Sequence, residues 1–179
     1  QLFDKIGYVE VGMDHFALKT DSMYKAMEEK TLHRNFMGYT SGKTELMVGL
    51  GMSAISDSWY SFAQNVKTVE EYQEVVNQGE IPLLRGHLLS EEDLIIRKHI
   101  LNIMCHFETS WEDPNQQTPA FLEGLNMLDE MKEDGLVIVE GNKLTVPEKG
   151  RLFVRNICMC FDARMIRNKP ETQIFSQTV

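Results

Sequence analysis

Gly12-Met13-Asp14-His15-Phe16-Ala17 and Leu32-His33-Arg34-Asn35-Phe36-Met37-Gly38-Tyr39-Thr40 are two stretches of this 179-residue chain that combine titratable side chains with glycines and aromatics. The apolar run before the first stretch predicts a largely buried strand, formed by Ile6, Tyr8, Val9 and Val11. We then expect Asp14 and His15 at the carboxyl end of that strand, where β/α barrels and open α/β sheets build their active sites. An Asp and a His that only cap and hydrogen-bond a loop fit the pattern about as well.

Two further stretches, Gly49-Leu-Gly-Met-Ser-Ala-Ile-Ser56 and Arg155-Asn-Ile-Cys-Met-Cys-Phe-Asp162, follow along the chain. Taken in order with the first two, they resemble the oxygen-independent coproporphyrinogen III oxidases, which are radical S-adenosylmethionine (SAM) proteins of haem biosynthesis. The four motifs together are far more specific than any one of them alone. The resemblance runs over essentially the whole chain and corresponds to the C-terminal part of the longer family sequence.

The resemblance implies a full-length enzyme that oxidatively decarboxylates two propionates of coproporphyrinogen III to vinyl groups, giving protoporphyrinogen IX. It implies two cofactors, SAM and a 4Fe–4S cluster held by an N-terminal Cys-x3-Cys-x2-Cys motif. The cysteines of this chain are Cys105, Cys158 and Cys160, whose spacing does not match that motif, and the chain begins at Gln1. We therefore expect a fragment that is inactive alone and holds no metal, with the cluster ligands and the N-terminal barrel half upstream.

The resemblance also assigns candidate site residues. Ile55 would contact SAM through apolar or backbone interactions, and Met37 stands where some relatives carry Gln, which puts a polar cofactor contact there in question. Arg34 is the candidate for a substrate propionate, because a guanidinium suits carboxylate recognition; a structural ion pair is the alternative. His15 and His33 are the candidates for catalysis, since an imidazole near neutral pH hydrogen-bonds a carboxylate or relays a proton. A structural role is the alternative for both histidines.

The expected fold class is α/β to α+β, in two parts. Residues 1–66 are predicted to form the terminal portion of a partial (β/α)6 radical SAM barrel with SAM-side loops, as the resemblance implies. This part is rich in glycine, which permits the close backbone approach that suits loops around a ligand. Residues 67–179 are predicted to form a mainly helical, winged-helix-like domain with a small β-hairpin. The boundary falls between Gln64 and Thr68, where glycine-rich sequence gives way to acidic helical sequence.

Capping residues and apolar spacing predict the elements of the second part. The predicted helices cover Val69–Gln78, a long segment that starts with a capping box at Ser90 and Asp93 and runs to Phe107, a segment from Thr118-Pro119 to Met131, and a final long segment from Pro147. Gly141-Asn142 predicts a hairpin between residues 136–139 and 143–146.

Several side chains in this part are expected to be structural. His87, His99 and His106 lie in or beside the predicted long helical region. Cys158 and Cys160 would point about 200° apart on a helix, so we expect buried free thiols there and not a shared metal.

The order helix, helix, hairpin, helix also occurs in DNA-binding winged-helix regulators, which provide an alternative function. A basic stretch near the end of the chain is formed by Arg151, Arg155, Arg164, Arg167 and Lys169. Against this alternative, the net charge is −9, and the helix that would contact DNA carries Glu123, Asp129 and Glu130. We therefore expect no nucleic-acid partner. A radical SAM haem chaperone is a further alternative, and the motif at residues 155–162 favours the oxidase.

The length of the apolar runs and the number of cysteines indicate where in the cell we expect the protein. No apolar run approaches the roughly 20 residues that span a bilayer, so we expect no membrane partner. Three cysteines without framework spacing fit a reducing compartment, and we expect a cytoplasmic protein. The exposed edge of a half-barrel offers the fragment a route to self-association.

Overall fold

The computed structural model describes residues 2–167. In that range the strands are β1 (Tyr8–Gly12), β2 (His15–Leu18), β3 (His33–Asn35), β4 (Gly38–Thr40), β5 (Leu46–Met47), β6 (Ile55–Ser58), β7 (Ser61–Asn65), β8 (Leu83–Leu88), β9 (Glu108–Ser110), β10 (Ile138–Glu140) and β11 (Lys143–Thr145). The α-helices are α1 (Leu2–Lys5), α2 (Ser22–Glu28), α3 (Val69–Asn77), α4 (Glu91–His106), α5 (Pro119–Asn126), α6 (Asp129–Glu133), α7 (Val154–Met159) and α8 (Ala163–Arg167). Short 3₁₀ helices cover Pro114–Gln116 and Glu148–Phe153.

The strands of residues 2–167 form antiparallel sheets. β1 pairs with β2 and β3 with β4, while the larger sheets have the orders β5-β6-β7-β8 and β10-β11-β9. The mixture of helix and strand agrees with the expected class, and this part of the chain contains no closed barrel.

Asp14 and His15 do follow the carboxyl end of β1, as expected, but β1 continues into an antiparallel hairpin and not into a β/α crossover. Only Met13 and Asp14 separate β1 from β2, and Asp14 occupies the turn with a φ of 58°. A parallel crossover needs a dozen or more residues, whereas so short a link allows only a hairpin. His15 therefore begins the second strand of a hairpin.

The glycine-rich segment contains a sheet that its sequence does not reveal. β5, β6 and β7 lie within it, and β8 joins them from beyond residue 66 through five paired positions with β7. The sheet thus connects sequence on both sides of the expected boundary. The division into 1–66 and 67–179 stays a prediction.

The core is built on the inward face of α4. Ile103 of α4 is fully buried and packs within one apolar cluster that draws on the surrounding helices and the small sheet. The fully buried apolar side chains that complete the centre of this cluster are Phe121, Leu128, Leu144 and Ile157.

The predicted caps are confirmed. The Ser90 hydroxyl accepts from the Asp93 N–H while the Asp93 carboxylate accepts from the Ser90 N–H, so the capping box is complete. Thr118 caps α5 with Pro119 at its first position. Thr68, which was not among the predicted caps, caps α3. The hairpin of β10 and β11 turns at Gly141, whose φ is 56°.

Two predicted long helices are broken. The helix expected from residue 119 to 131 splits into α5 and α6, with a Leu128 N–H to Leu125 oxygen bond tightening the chain between them and Leu128 fully buried. The helix expected after Pro147 splits into a 3₁₀ segment, α7 and α8. Gly150 lies so close to the backbone that a Cβ there would be 2.0 Å from the Leu136 oxygen. Tertiary packing therefore overrides the local helical pattern in both places.

His99 is a fully buried polar group of the core. Its Nδ1 lies 2.8 Å from the Thr109 hydroxyl, and its ring stacks on Phe121 with centroids 4.1 Å apart. Burial lowers the pKa of this imidazole from 6.5 to about 4, because the charged form would lose its hydration. His99 is structural, as expected, whereas His87 lies on β8 and is exposed.

Burial of His99 predicts an acid-sensitive core. Since the unfolded chain binds a proton below pH 6.5 and the folded chain does so only near pH 4, stability is lost as the pH falls through this window. The loss corresponds to about 3 kcal/mol of unfolding free energy. Urea unfolding of the wild type and His99→Gln at a series of pH values measures it, because other titrating groups cancel in the difference. A difference that does not change with pH would contradict the prediction, and His87→Gln is the control for loss of an exposed histidine.

Candidate functional site

The first candidate site is a cluster around the Tyr39 ring. His15 meets that ring edge-on, with centroids 5.1 Å apart and planes at 74°, and the Arg34 guanidinium lies 4.7 Å from the ring centroid. The Tyr39 hydroxyl donates to the Met104 oxygen at 2.9 Å, which anchors the cluster to α4. His15 Nδ1 lies 2.7 Å from the Met13 oxygen and must donate there, so Nε2 is the acceptor nitrogen of the neutral ring.

Two glycines make room for this cluster. A Cβ on Gly12 would lie 2.4 Å from Cζ of Tyr39, inside the aromatic ring's van der Waals surface. A Cβ on Gly38 would lie 2.9 Å from Nε2 of His15, and Gly38 has a φ of 123° that L side chains rarely adopt. Both glycines of the opening motifs are therefore required by contact with a candidate site residue.

Arg34 carries a charge without an acidic partner among the side chains that the structure describes, which are those of residues 2–167 other than Asp4. No carboxylate of that set lies within ion-pair distance of its guanidinium, and Nη1 is buried without a hydrogen-bond partner there. Burial raises the pKa of Tyr39, and the Arg34 charge acts in the opposite direction. The structural ion pair considered for Arg34 is not found in the described part of the chain. Its positive charge is therefore available to an anion.

His33 faces away from this cluster. Side chains alternate along a strand, and β3 places His33 and Asn35 on one face and Arg34 on the other. The structure thus brings His15 and Arg34 to one Tyr39 ring and separates His33 from both.

His33 lines two adjoining cavities that we call the His33 groove. The larger cavity has a volume of about 640 Å³ and the smaller about 330 Å³, and both are lined by His33, Lys43 and Trp59. The larger is also lined by Asp57 and Arg97, and the smaller by Lys30, Lys98 and His106. Burial lowers the pKa of His33, and the charges of Lys43 and Arg97 lower it further, which favours the neutral form of the imidazole.

A buried ion pair fixes one wall of the groove. Arg97 of α4 contacts Asp57 of β6 at 2.8 Å and donates to the oxygens of Ser58 and Trp59. Its guanidinium also lies 5.1 Å from the Trp59 ring centroid. Arg97 therefore makes three hydrogen bonds to this wall and packs against the Trp59 ring.

Ile55 lines a separate cavity of about 350 Å³ with Phe36, Phe62 and Arg85. Arg85 Nε donates to Gln64 Oε1 at 2.9 Å in its wall. Met37 does not line this cavity and is 84% exposed, so the structure does not bring Met37 and Ile55 together.

The loop before Ile55 is held by residues that the sequence did not single out. The Asn65 amide donates to the oxygens of Gly49 and Gly51 at 3.0 and 2.9 Å, and the Tyr72 hydroxyl accepts from the Gly51 N–H. Asn65 and Tyr72 come from β7 and α3, and no local signal links them to the loop.

The cysteines do not fit a cluster. Cys105, Cys158 and Cys160 are buried free thiols, as expected, and burial raises the pKa of Cys105 to about 12. The pKa values of Cys158 and Cys160 are raised by burial too, whereas a cluster ligand must be a thiolate. In the stretch that the structure describes, no group of three or more His, Cys, Asp or Glu residues could hold a metal ion.

The basic stretch near the end is largely neutralised. Arg164 forms two hydrogen bonds to the Asp93 carboxylate at 2.6 and 2.7 Å, and Arg167 pairs with Glu92 at 2.8 Å. Arg151 lies over the Phe107 ring. Lys169, which completed this stretch, falls outside the described residues. Pairing with carboxylates leaves Arg164 and Arg167 poorly suited to phosphates. Within residues 2–167, no helix is both long and apolar enough to cross a membrane.

Comparison with known proteins confirms the resemblance seen in the motifs. The chain is 40% identical to the oxygen-independent coproporphyrinogen III oxidase of Escherichia coli (strain K12) over 179 residues, which covers 97% of this chain and 39% of that protein. It is 35% identical to the protein of the same name from Synechocystis sp., which covers 97% of this chain and 39% of that protein. It is 30% identical to the protein of that name from Helicobacter pylori (strain 26695), which covers 89% of this chain and 36% of that protein. No family model matches the chain.

A solved structure gives the same result. Coproporphyrinogen III oxidase from Escherichia coli, described as a radical SAM enzyme, superposes with a TM-score of 0.82 at 40% identity and covers 91% of this chain and 39% of that one. The chain thus spans about two fifths of the length of the relatives it matches.

The Tyr39 cluster predicts that Gly12→Ala is destabilising, because the added methyl would displace the Tyr39 ring from His15 and Arg34. We expect a loss of about 1–3 kcal/mol of unfolding free energy, measured by urea denaturation. Gly42→Ala is the matched control, since no atom lies within 4 Å of its added Cβ. Gly42→Ala should leave the free energy of unfolding unchanged or raise it by about 0.4–1 kcal/mol, because alanine reduces the conformational entropy of the unfolded chain. Equal effects at the two positions would show that the ring contact does not constrain Gly12.

Proposed function

Since this chain resembles the oxygen-independent coproporphyrinogen III oxidases over nearly its whole length, we propose that it is the C-terminal part of such an enzyme. The observation that carries the proposal is the 40% identity across 97% of the chain, together with the four motifs in family order. The parent would convert two propionates of coproporphyrinogen III to vinyl groups, giving protoporphyrinogen IX. This chain would be inactive alone.

The cofactors of the proposed parent are SAM and a 4Fe–4S cluster. When bound, they supply the radical chemistry that an unactivated propionate side chain requires. The cluster ligands would belong to the missing N-terminal barrel half. The part of this chain would be to bind substrate and cofactor and to exclude water from the reaction.

Ile55 is proposed to contact SAM. Support comes from the cavity that it lines, where Phe36 and Phe62 offer an apolar surface and Arg85 and Gln64 offer polar groups at the rim. The neighbouring loop, clamped by Asn65, would hold Ile55 in place. Met37 has no part in this proposal because its side chain is almost fully exposed and away from the cavity.

Arg34 is proposed to bind a propionate of the substrate. A planar guanidinium presents two parallel donors to a carboxylate, and packing on the Tyr39 ring would orient it. The absence of an acidic partner among the described residues supports this role. His15 would position Tyr39, and the neutral His33 would accept a proton or hydrogen-bond a carboxylate.

Further aspects of the proposal concern organisation and partners. Residues 1–66 would complete a partial (β/α)6 barrel with the missing half. Residues 67–179 would form a winged-helix-like domain, for which the order β10-β11-β9 beside α4 and α5 offers support. We also propose a cytoplasmic location, no nucleic-acid partner, and self-association of the isolated chain through strand edges that the missing half would cover.

The experiment that tests the function is anaerobic conversion of coproporphyrinogen III with SAM and a reductant. This chain and its full-length parent are assayed in parallel, with product identified by its two vinyl groups. We expect conversion by the parent alone. A parent that is inactive with a fully assembled cluster would overturn the oxidase assignment and favour a haem chaperone.

Arg34→Ala in the full-length parent is expected to weaken binding of coproporphyrinogen III about tenfold, the loss that follows from removing a charge-assisted hydrogen bond. The measured quantities are KM and kcat, together with iron content and the visible spectrum of the cluster, which should not change. Arg34→Lys retains the charge without the planar fork and should recover part of the affinity. Lys67→Ala, at an exposed cation outside the four motifs, is the control. An unchanged KM in Arg34→Ala would remove Arg34 from the substrate site.

A further inference from the structure

The His33 groove concentrates positive charge on an acidic protein. The chain has a net charge of −9, yet Lys30, Lys43, Lys98 and Arg97 line the two cavities of the groove. Asp57 and Glu45 are the acidic residues among those lining residues. Lined mainly by one sign of charge, the groove would attract anions against the overall repulsion of the protein.

Two of these cations are available to a ligand. Arg97 is paired with Asp57, and Lys30 is paired with Glu108, which also binds Lys143. Lys43 and Lys98 form no salt bridge with a carboxylate of residues 2–167 other than Asp4, whose side chain is not described. Both are exposed, so they reach solvent at the mouth of the groove.

Two histidines of the groove, His33 and His106, are affected by the same positive charge. Burial lowers the pKa of His33 and of His106, and the next cause in each case is a lysine, Lys43 and Lys30 respectively. His106 Nδ1 is buried and has no hydrogen-bond partner within the described residues. Both histidines therefore lie beside lysines, in agreement with the positive charge of the groove.

Trp59 gives the groove an aromatic surface. Its ring lines both cavities, with Lys43 Nζ 4.7 Å and Arg97 Cζ 5.1 Å from the ring centroid. The larger cavity, at about 640 Å³, falls within the range of sites for sizeable organic ligands. The groove therefore places an aromatic ring in direct contact with cations, which suits an aromatic or pyrrole ring bearing carboxylate arms.

We propose that the His33 groove binds carboxylate arms of the tetrapyrrole substrate, with Lys43 and Lys98 pairing with propionates that do not react and Trp59 contacting a pyrrole ring. The inference rests on the proposed function. Of the four propionates two are lost in the reaction, and the other two keep their charge from substrate to product. Ion pairs with these two unreactive propionates would stabilise the bound substrate and the bound product equally. Lys43 and Lys98 would therefore raise affinity without changing the chemical step.

The test is a fluorescence titration of this chain with coproporphyrin III, the air-stable oxidised form that keeps all four propionates. We expect Lys43→Glu and Lys98→Glu each to weaken binding about tenfold or more, because each turns an attraction into a repulsion. Lys67→Glu makes the same charge change at an exposed lysine outside the groove and should leave the affinity unchanged. Circular dichroism of each variant verifies the fold, and Lys43→Arg should retain binding.

Three results would overturn the inference. Equal affinity of the wild type and both groove variants would show that the ligand binds elsewhere. Equal weakening by Lys67→Glu would show that net charge alone governs binding. Displacement of coproporphyrin III by an equal concentration of citrate would show that the groove recognises carboxylates without the ring.

The inference and the proposed function fail separately. If the groove variants bind normally but the parent converts coproporphyrinogen III, only the groove assignment is wrong. If the parent with an assembled cluster is inactive while binding to this chain depends on Lys43 and Lys98, the oxidase assignment is wrong and the groove is a tetrapyrrole-binding site.

Discussion

The ion pair between Arg97 and Asp57 is the contact on which the candidate site depends most. It joins the central helix α4 to strand β6 across 40 residues of sequence, and Asp57 is 8% exposed. Removal of one partner from so buried a pair costs several kcal/mol, because the other charge is left without compensation. The same guanidinium holds the backbone oxygens after Asp57 and packs on Trp59 and Phe62, so one side chain sets both the sheet position and the groove wall.

The helix α4 is also the support for the second cluster. The Tyr39 hydroxyl bonds to the Met104 oxygen near the end of α4, while Arg97 lies near the middle of the same helix. Between these anchors, the three residues of β3 present His33 to the groove and Arg34 to the Tyr39 ring. One helix, α4, and one short strand, β3, therefore position both the Tyr39 cluster and the His33 groove. No large sheet is needed to fix these two sets of polar side chains.

Local signals predicted much of the fold, and long-range contacts set the rest. The capping box at Ser90, the Thr118-Pro119 start and the Gly141-Asn142 turn each depend on residues within a few positions, and all were readable from the sequence. The sheet of β5 to β8 was not, because its short strands lack alternation of apolar and polar residues. The groove was missed for a related reason: Lys43, Trp59 and Arg97 are scattered along the chain and meet only after folding. The family resemblance was recoverable because motifs record such long-range constraints residue by residue.

The clamp of Asn65 on the loop before Ile55 has a consequence for how this segment tolerates change. Asn65 grips main-chain oxygens, which every amino acid supplies, so it places no demand on side-chain identity in the loop. Gly51 is restricted by its φ of 99° and Gly49 by the Ile55 backbone, but Leu50 between them is 83% exposed. Within this chain, position 50 therefore tolerates most substitutions, whereas positions 49 and 51 require glycine. In a saturation mutagenesis library of this loop, most substitutions would be tolerated at position 50 and few at positions 49 and 51.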